Sequence, residues 1–200
     1  NYPILGELDD GVSAAAKEKI VCYVGGLSAA RGIHDTIAAM ALCQWDVRLA
    51  LAGNFVGAGT QVMAVASPAW SRVDYMGFLS RGAVRDLLSR SLAGLVTLHP
   101  TPAYLTSLPI KMFEYMSAGV PVIASNFPLW RDLVEGNACG ICVNPLDPKA
   151  IAAAIDRLVN DPTEAQRMGE NGRRAVRERY NWKIEEARLL ALYASLQPRS

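Results

Sequence analysis

Short apolar runs separated by amphipathic stretches are the feature of this sequence that most restricts its fold. The runs are Ile20–Val24, Val47–Ala52, Val73–Met76, Gly94–Leu98, Val120–Ala124 and Gly140–Val143. Several are apolar throughout, as strands buried on both faces must be. Between the runs, apolar residues recur at helical spacing, as in Ile33, Ile37 and Met40. This alternation predicts an α/β fold: a doubly wound, Rossmann-like parallel sheet of about six strands with helices on both faces.

The last quarter of the chain predicts consecutive C-terminal helices with no strand between them. Asp147 and Asp161 each precede a proline, a pair typical of a helix N-cap and first turn, and Asn181 can cap a further helix. The segment before the first strand has no periodicity and contains prolines, glycines and acidic residues. We therefore predict a linker over residues 1–17 and one domain over residues 18–200.

Composition and charge exclude several classes of protein. The 200 residues carry a formal net charge of +1, too little basic charge for a nucleic-acid partner, and 51% are hydrophobic, too many for a disordered chain. No apolar run reaches the roughly 18 residues that a membrane-spanning helix needs. Cys139 and Cys142 form a C-x-x-C in a predicted strand with no second pair of zinc ligands nearby, so we interpret them as small buried hydrophobes.

Ligands of open parallel sheets bind beyond the carboxyl ends of the strands, and three predicted loops at that edge carry candidate residues. The first follows the first strand, where Gly25 and Gly26 allow a close backbone approach and Arg31 can fork onto a phosphate. The loop is neither G-x-G-x-x-G nor the G-x-x-x-x-G-K-[ST] phosphate loop. An ordinary tight turn with a solvated arginine is the alternative.

The second loop, residues 99–109, follows the fourth strand and is rich in proline. A connection of about ten residues is long, and long loops are usually functional. It leads into a predicted helix, Ile110–Ala118, with Ser107 or Leu108 as the N-cap. The free amides and the dipole at this helix start predict an anion site.

Lys111 adds a positive charge to that helix start, and Glu114 follows one turn later. The alternative for these two residues is a plain salt pair worth a few tenths of a kcal/mol. The third loop, Gly77–Ser80, can offer backbone groups to a flat base or be a simple turn. His34 and His99 lie far apart in sequence without a Cys or acid at metal-ligand spacing, and no D-x-D occurs. We therefore expect no metal site.

Together these loops resemble the family 4, group 1 glycosyltransferases of the GT-B fold. The segment Val24–Gly32 is similar to the family's first phosphate loop, and Leu108–Ser125 closely resembles its donor-binding signature. Cys139–Pro148, Met168-Gly169 and Tyr180-Asn181-Trp182 continue the likeness. The resemblance covers nearly the whole chain but only the C-terminal half of such an enzyme. It implies an N-terminal acceptor lobe in the same full-length protein.

The resemblance also implies a role for each candidate residue. Arg31 and Lys111 would hold the diphosphate of a UDP- or GDP-linked sugar and act in catalysis, and Glu114 would bind the ribose. The other implied binding residues lie in the same three loops: Gly25, Gly26, Phe78, Leu79, Thr106, Ser107, Leu108 and Ile110. Two positions depart from the family. An arginine is frequent where Gly26 stands, and the first glutamate of the family's paired motif would fall at Thr106.

The implied function is retaining, metal-independent transfer of a hexose from the nucleotide sugar to an acceptor held by the other lobe, in polysaccharide biosynthesis. No cofactor is expected. The protein is expected to be cytoplasmic, or peripheral to the inner face of the membrane through the other lobe. A sugar-nucleotide epimerase and a non-catalytic nucleotide-sugar-binding subunit are alternatives with the same fold. A nicotinamide oxidoreductase is disfavoured because the second strand ends in Ala52-Gly53, without an acid for the ribose.

Overall fold

The computed structural model describes residues 2–6 and 17–196, and it confirms the predicted doubly wound parallel sheet. The strands are β1 (Ile20–Val24), β2 (Arg48–Ala52), β3 (Val73–Gly77), β4 (Ala93–Val96), β5 (Val122–Ser125) and β6 (Gly140–Val143). Their order in the sheet is β3-β2-β1-β4-β5-β6, and every neighbouring pair is parallel. The strand order reverses between β1 and β4, which places a switch point at the centre of the sheet.

Helices connect the strands and cover both faces of the sheet. They are α1 (Ile33–Met40), α2 (Ala58–Val65), α3 (Arg81–Arg90), α4 (Pro102–Leu105), α5 (Ile110–Ser117), α6 (Pro128–Val134), α7 (Pro148–Asn160), α8 (Pro162–Glu178) and α9 (Trp182–Leu196). One core cluster contains residues of α1, α2 and α7, and the other contains residues of α3, α5 and α6. Helix α8 contributes to both. In residues 2–6 and 17–196, none of the helices combines the length and apolarity needed to cross a bilayer.

Strand β1 is buried on both faces, which explains why its sequence is apolar throughout. Val21, Cys22 and Tyr23 are fully buried. Val21 and Tyr23 belong to the cluster with α1 and α7, whereas Cys22 belongs to the cluster with α3 and α5. Successive side chains of a strand point to opposite faces, so a strand covered on both faces has no polar side.

The predicted N-caps of the three C-terminal helices are confirmed. Asp147 accepts a hydrogen bond from the backbone N–H of Lys149 (2.9 Å), and Asp161 accepts one from Glu164 (2.8 Å). Asn181 accepts one from the backbone N–H three residues later (3.2 Å). Each such cap stabilises its helix by about 1 kcal/mol.

The described start of the chain packs onto the domain. The ring of Tyr2 lies edge-on to Phe113, with 4.8 Å between ring centroids, and 5.8 Å from Tyr180. Most of the predicted linker over residues 1–17 lies outside the described residues.

The C-x-x-C pair forms no disulfide. Cys139 is buried and Cys142 is half-buried. Burial raises the pKa of both thiols to about 12, which keeps them protonated at neutral pH. Both thiols therefore serve as small packing groups, as predicted.

Gly94, in the middle of β4, allows helix α5 to approach the sheet closely. A Cβ at Gly94 would lie 2.3 Å from the ring of Tyr115, a fully buried residue of α5. The hydroxyl of Tyr115 accepts a hydrogen bond from the backbone N–H of Val24 (2.9 Å). Because Val24 is the last residue of β1, this bond fixes α5 at the carboxyl edge of the sheet.

Candidate functional site

A cavity of about 450 Å³ opens at the carboxyl edge of the sheet, where the loops after β1 and β4 meet. It is lined by Val24, Gly25, Arg31, Leu98, Tyr104, Ser107, Leu108, Pro109, Ile110, Lys111 and Glu114. The first and second predicted loops therefore meet at one cavity. Its position at the switch point is where doubly wound sheets bind ligands.

Lys111 supplies a buried amine to this cavity. Its Nζ is shielded from solvent and makes no hydrogen bond within the described residues, and it lies 3.5 Å from the ring centroid of Tyr23. Burial lowers the pKa of Lys111 well below its usual value, and the charge of Arg31 lowers it further. A buried polar group without a partner is costly, so an anion in the cavity would supply the hydrogen bonds that Lys111 lacks.

Arg31 supplies a second positive group from the short 3₁₀ turn Ala29–Arg31. Its Nη1 donates to the carbonyl of Gly26 (3.4 Å), and the hydroxyl of Tyr104 raises its pKa. A Cβ on Gly26 would lie 2.8 Å from Nη1. An arginine at this position, which is frequent in the family, would therefore require Arg31 to move. Glycine at position 26 lets Arg31 keep its place.

Gly25 is required where it stands. Its φ is +132°, a conformation that favours glycine, and a Cβ there would lie 2.9 Å from Nζ of Lys111. A glycine at this position therefore keeps space open beside the buried amine.

Two tyrosines that no sequence motif marks accompany Arg31 and Lys111 at the cavity. The hydroxyl of Tyr23 donates to the carbonyl of Gly26 (3.0 Å), and its ring lies against Lys111. Tyr104, on α4, lines the same cavity and raises the pKa of Arg31. Tyr104 could have been found from its place in the long proline-rich loop. Tyr23 could not, because a tyrosine in an apolar strand is typical of core packing.

The start of helix α5 differs from the prediction. The helix begins at Ile110 with Pro109 as its N-cap, so the predicted N-cap at Ser107 or Leu108 is wrong. A residue before proline is kept out of the helical region, and Pro109 itself is extended (φ −69°, ψ 130°). No side chain caps the helix, and Ile110 and Lys111, its first two residues, line the cavity.

Glu114 places one carboxylate in the cavity lining. Its side chain is only 13% exposed, and its Oε1 accepts a hydrogen bond from Nη1 of Arg81 (2.5 Å). Lys111, one helical turn earlier, has no hydrogen bond to Glu114. The predicted alternative of a simple Lys111–Glu114 salt pair is therefore wrong.

Of the other predicted residues, three line the cavity and four do not. Ser107, Leu108 and Ile110 belong to its lining, whereas Gly26, Phe78, Leu79 and Thr106 do not. Phe78, at the end of β3, is 79% exposed, and Leu79 packs against the core. Thr106 is exposed and ends helix α4.

The loop after β4 is also tied to α1. Nε2 of His99 lies 2.7 Å from Oδ2 of Asp35, and the backbone N–H of His99 donates to Ala30 (3.0 Å). His34 instead bonds to the carbonyl of Thr60 (3.1 Å), a structural contact. Across the described residues, no three His, Cys, Asp or Glu side chains form a group that could hold a metal ion.

Comparison with known proteins assigns the chain to a family. The family model "Glycosyl transferases group 1" matches residues 7–175. The chain belongs to this family. This group 1 chain is 28% identical to glycogen synthase of Mycobacterium tuberculosis over 168 residues. The aligned region covers 80% of this chain and 38% of that relative.

Solved structures agree with this assignment. Sucrose-phosphate synthase from Thermosynechococcus elongatus matches with a TM-score of 0.76 and 25% identity, over 98% of this chain and 49% of that one. Anabaena HepE, solved in complex with UDP, matches with a TM-score of 0.77 and 21% identity, over 90% of this chain and 50% of that one. The group 1 chain thus has the fold of one GT-B lobe and spans about half the length, or less, of these proteins.

Proposed function

We propose that this chain binds a nucleotide-activated sugar as the donor half of a glycosyltransferase, while another part of the protein holds the acceptor. The observation that carries the proposal is the cavity at the switch point, where Arg31, Lys111 and Glu114 come together. The UDP complex of HepE supports a sugar nucleotide as the ligand of this fold.

The charges of the cavity complement a nucleoside diphosphate. A guanidinium can bind two phosphate oxygens at once, so Arg31 fits the diphosphate, and Lys111 adds a donor that has no hydrogen-bond partner in the described structure. The uncapped start of α5 adds the positive end of its dipole. Glu114 can accept hydrogen bonds from ribose hydroxyls, which stabilises binding by about 1.5–3 kcal/mol for a charged acceptor.

The same groups suit the departure of the sugar. Negative charge grows on the diphosphate as the glycosidic bond breaks, and donors aimed at that charge stabilise the transition state. The ring of Tyr23 lies against Lys111, and the carbonyl of Gly26 accepts a hydrogen bond from Arg31, so the protein itself orients both groups. We propose a transfer that uses these two cations in place of a metal ion. The family resemblance supports retention of the anomeric configuration and a hexose as the sugar.

The chain by itself is proposed to bind the donor without transferring the sugar. Transfer requires the acceptor to be positioned against the sugar, and the matched relatives contain about as much chain again. Acceptor-dependent release of nucleoside diphosphate by this chain alone would contradict this part of the proposal.

A thermal-shift screen tests donor binding. The chain is mixed with UDP, GDP, ADP, their glucose and mannose derivatives, and NAD as the comparison ligand. A ligand at 100 times its Kd stabilises the folded state by about 2.7 kcal/mol, which is readily measured. A shift with one nucleoside diphosphate and its sugar derivatives is expected. No shift with any of them, or a larger shift with NAD, would contradict the proposal.

A further inference from the structure

An arginine from another helix holds the carboxylate of Glu114. Arg81 is the first residue of α3, whose N-cap Ser80 accepts a hydrogen bond from the backbone N–H of Ala83. Its Nη1 donates to Oε1 of Glu114 at 2.5 Å. Arg81 is 59% exposed and lies outside the cavity lining, whereas Glu114 is 13% exposed and lies within it. The arginine therefore reaches the carboxylate from outside the cavity.

The geometry leaves most of the carboxylate available to a ligand. A carboxylate has about four acceptor sites on its two oxygens, and the bond from Arg81 uses one of them. A glutamate side chain is otherwise free to rotate about three bonds, and fixing it before binding lowers the entropy lost when a ligand binds. The ion pair thus orders Glu114 without filling its acceptor sites.

We propose that Arg81 is a positioning residue that holds Glu114 for the ribose hydroxyls of the donor nucleotide. This inference rests on the proposed function. It assigns Arg81 to the discrimination of ribonucleotides from nucleotides that lack the ribose hydroxyls. If Arg81 instead competed with the ribose for Glu114, removing Arg81 would tighten nucleotide binding.

The test compares a ribonucleotide with its hydroxyl-free counterpart by calorimetry. Arg81→Gln and the parent chain are titrated with UDP and 2′,3′-dideoxy-UDP, and with the corresponding GDP pair. We expect the parent to prefer the ribonucleotide by about tenfold or more, and Arg81→Gln to reduce that preference to about threefold or less. Arg85→Gln is the matched control, since Arg85 lies one turn later on α3 and pairs only loosely with Asp86 at 3.9 Å.

Two further variants distinguish positioning from a structural role. Arg81→Lys keeps the charge without the planar fork and should give a preference between those of the parent and Arg81→Gln. In a Glu114→Gln background, Arg81→Gln should leave the remaining preference unchanged, because the carboxylate that it positions is gone. Circular dichroism checks that each variant is folded.

The outcomes separate the inference from the function on which it rests. An unchanged preference in Arg81→Gln, or tighter UDP binding by that variant, would overturn the role of Arg81 while donor binding stands. A parent chain that binds neither UDP nor GDP would overturn both.

Discussion

Nζ of Lys111 lies 3.5 Å from the ring centroid of Tyr23. A charged amine over an aromatic ring gains roughly 0.5–2 kcal/mol, whereas removing an ammonium from water costs several kcal/mol. Desolvation is the larger effect, in line with the lowered pKa of Lys111. The cavity wall therefore holds this amine where losing its proton is easier than in water.

At a pH above the lowered pKa of Lys111, binding of a nucleoside diphosphate is expected to draw a proton onto this residue. Burial and the charge of Arg31 lower the pKa of Lys111, Glu114 and Cys22 raise it, and a bound diphosphate would raise it strongly. Affinity should be greatest below the lowered pKa of Lys111, and it should fall as the pH rises from there towards the usual value of 10.5. Calorimetry of UDP binding in buffers with different ionisation enthalpies measures the uptake.

Lys111→Met is the control for this experiment, since it keeps the apolar stem and removes the amine. At a pH well above the second pKa of a phosphate, about 6, the titration of UDP itself contributes little in either protein. Equal proton uptake by the parent and Lys111→Met would show that another group takes up the proton.

Replacing Glu114 with Gln should weaken UDP or GDP binding by about tenfold or more, because a charged acceptor for the ribose is lost. Isothermal calorimetry measures the affinity, and a melting curve shows whether the fold is intact. Glu178→Gln, an exposed change at the end of α8, serves as the control. Equal affinities for the parent and Glu114→Gln would remove Glu114 from the binding site.

Turnover by the full-length protein should persist in EDTA and should depend on Arg31 and Lys111. Each supplies a preaimed donor to the leaving diphosphate, and loss of one such donor costs about a hundredfold or more in kcat. The assay follows release of nucleoside diphosphate by the parent, Arg31→Ala and Lys111→Ala. Activity lost in EDTA and restored by magnesium would contradict the metal-free mechanism, and near-normal kcat in both variants would contradict the assignment of the two cations.

Tyr104→Phe should lower kcat by about tenfold, less than Arg31→Ala, because it removes the hydroxyl that raises the pKa of Arg31 and leaves the guanidinium in place. In an Arg31→Ala background the same change should have little effect, since the two residues act together. Tyr193→Phe, on the exposed face of α9, is the comparison. Additive losses in the double variant would show that Tyr104 acts independently of Arg31.

The fold could be predicted because parallel strands buried on both faces require apolar runs. The bounds of β1 and β6 agree with the prediction, whereas β5 begins at Val122 rather than Val120. Pairing with neighbouring strands decides where a strand begins and ends, and hydrophobicity alone does not record it. Helix α4 was missed for a related reason, since its few residues show no period.

The candidate site could be predicted only in part. Arg31 and Lys111 lie in loops whose glycines, prolines and position after strands mark a binding edge. Arg81 lies 33 positions from Glu114, and no local pattern joins them. Tyr23 lies in an apolar strand and is a buried core residue, so its sequence context does not reveal its contact with Lys111. Contacts between residues distant in sequence follow from packing, and the sequence pattern does not display them.

The close contact between Gly94 and Tyr115 should couple substitutions at these two positions. Any side chain at 94 would displace the ring at 115, so among related chains a larger residue in β4 should occur together with a smaller one in α5. A smaller residue at position 115 would lack the hydroxyl that accepts the hydrogen bond from the backbone N–H of Val24. A substitution in the middle of the sheet would then loosen the helix that carries Lys111 and Glu114, and so change the proposed donor site without altering any residue of the cavity wall.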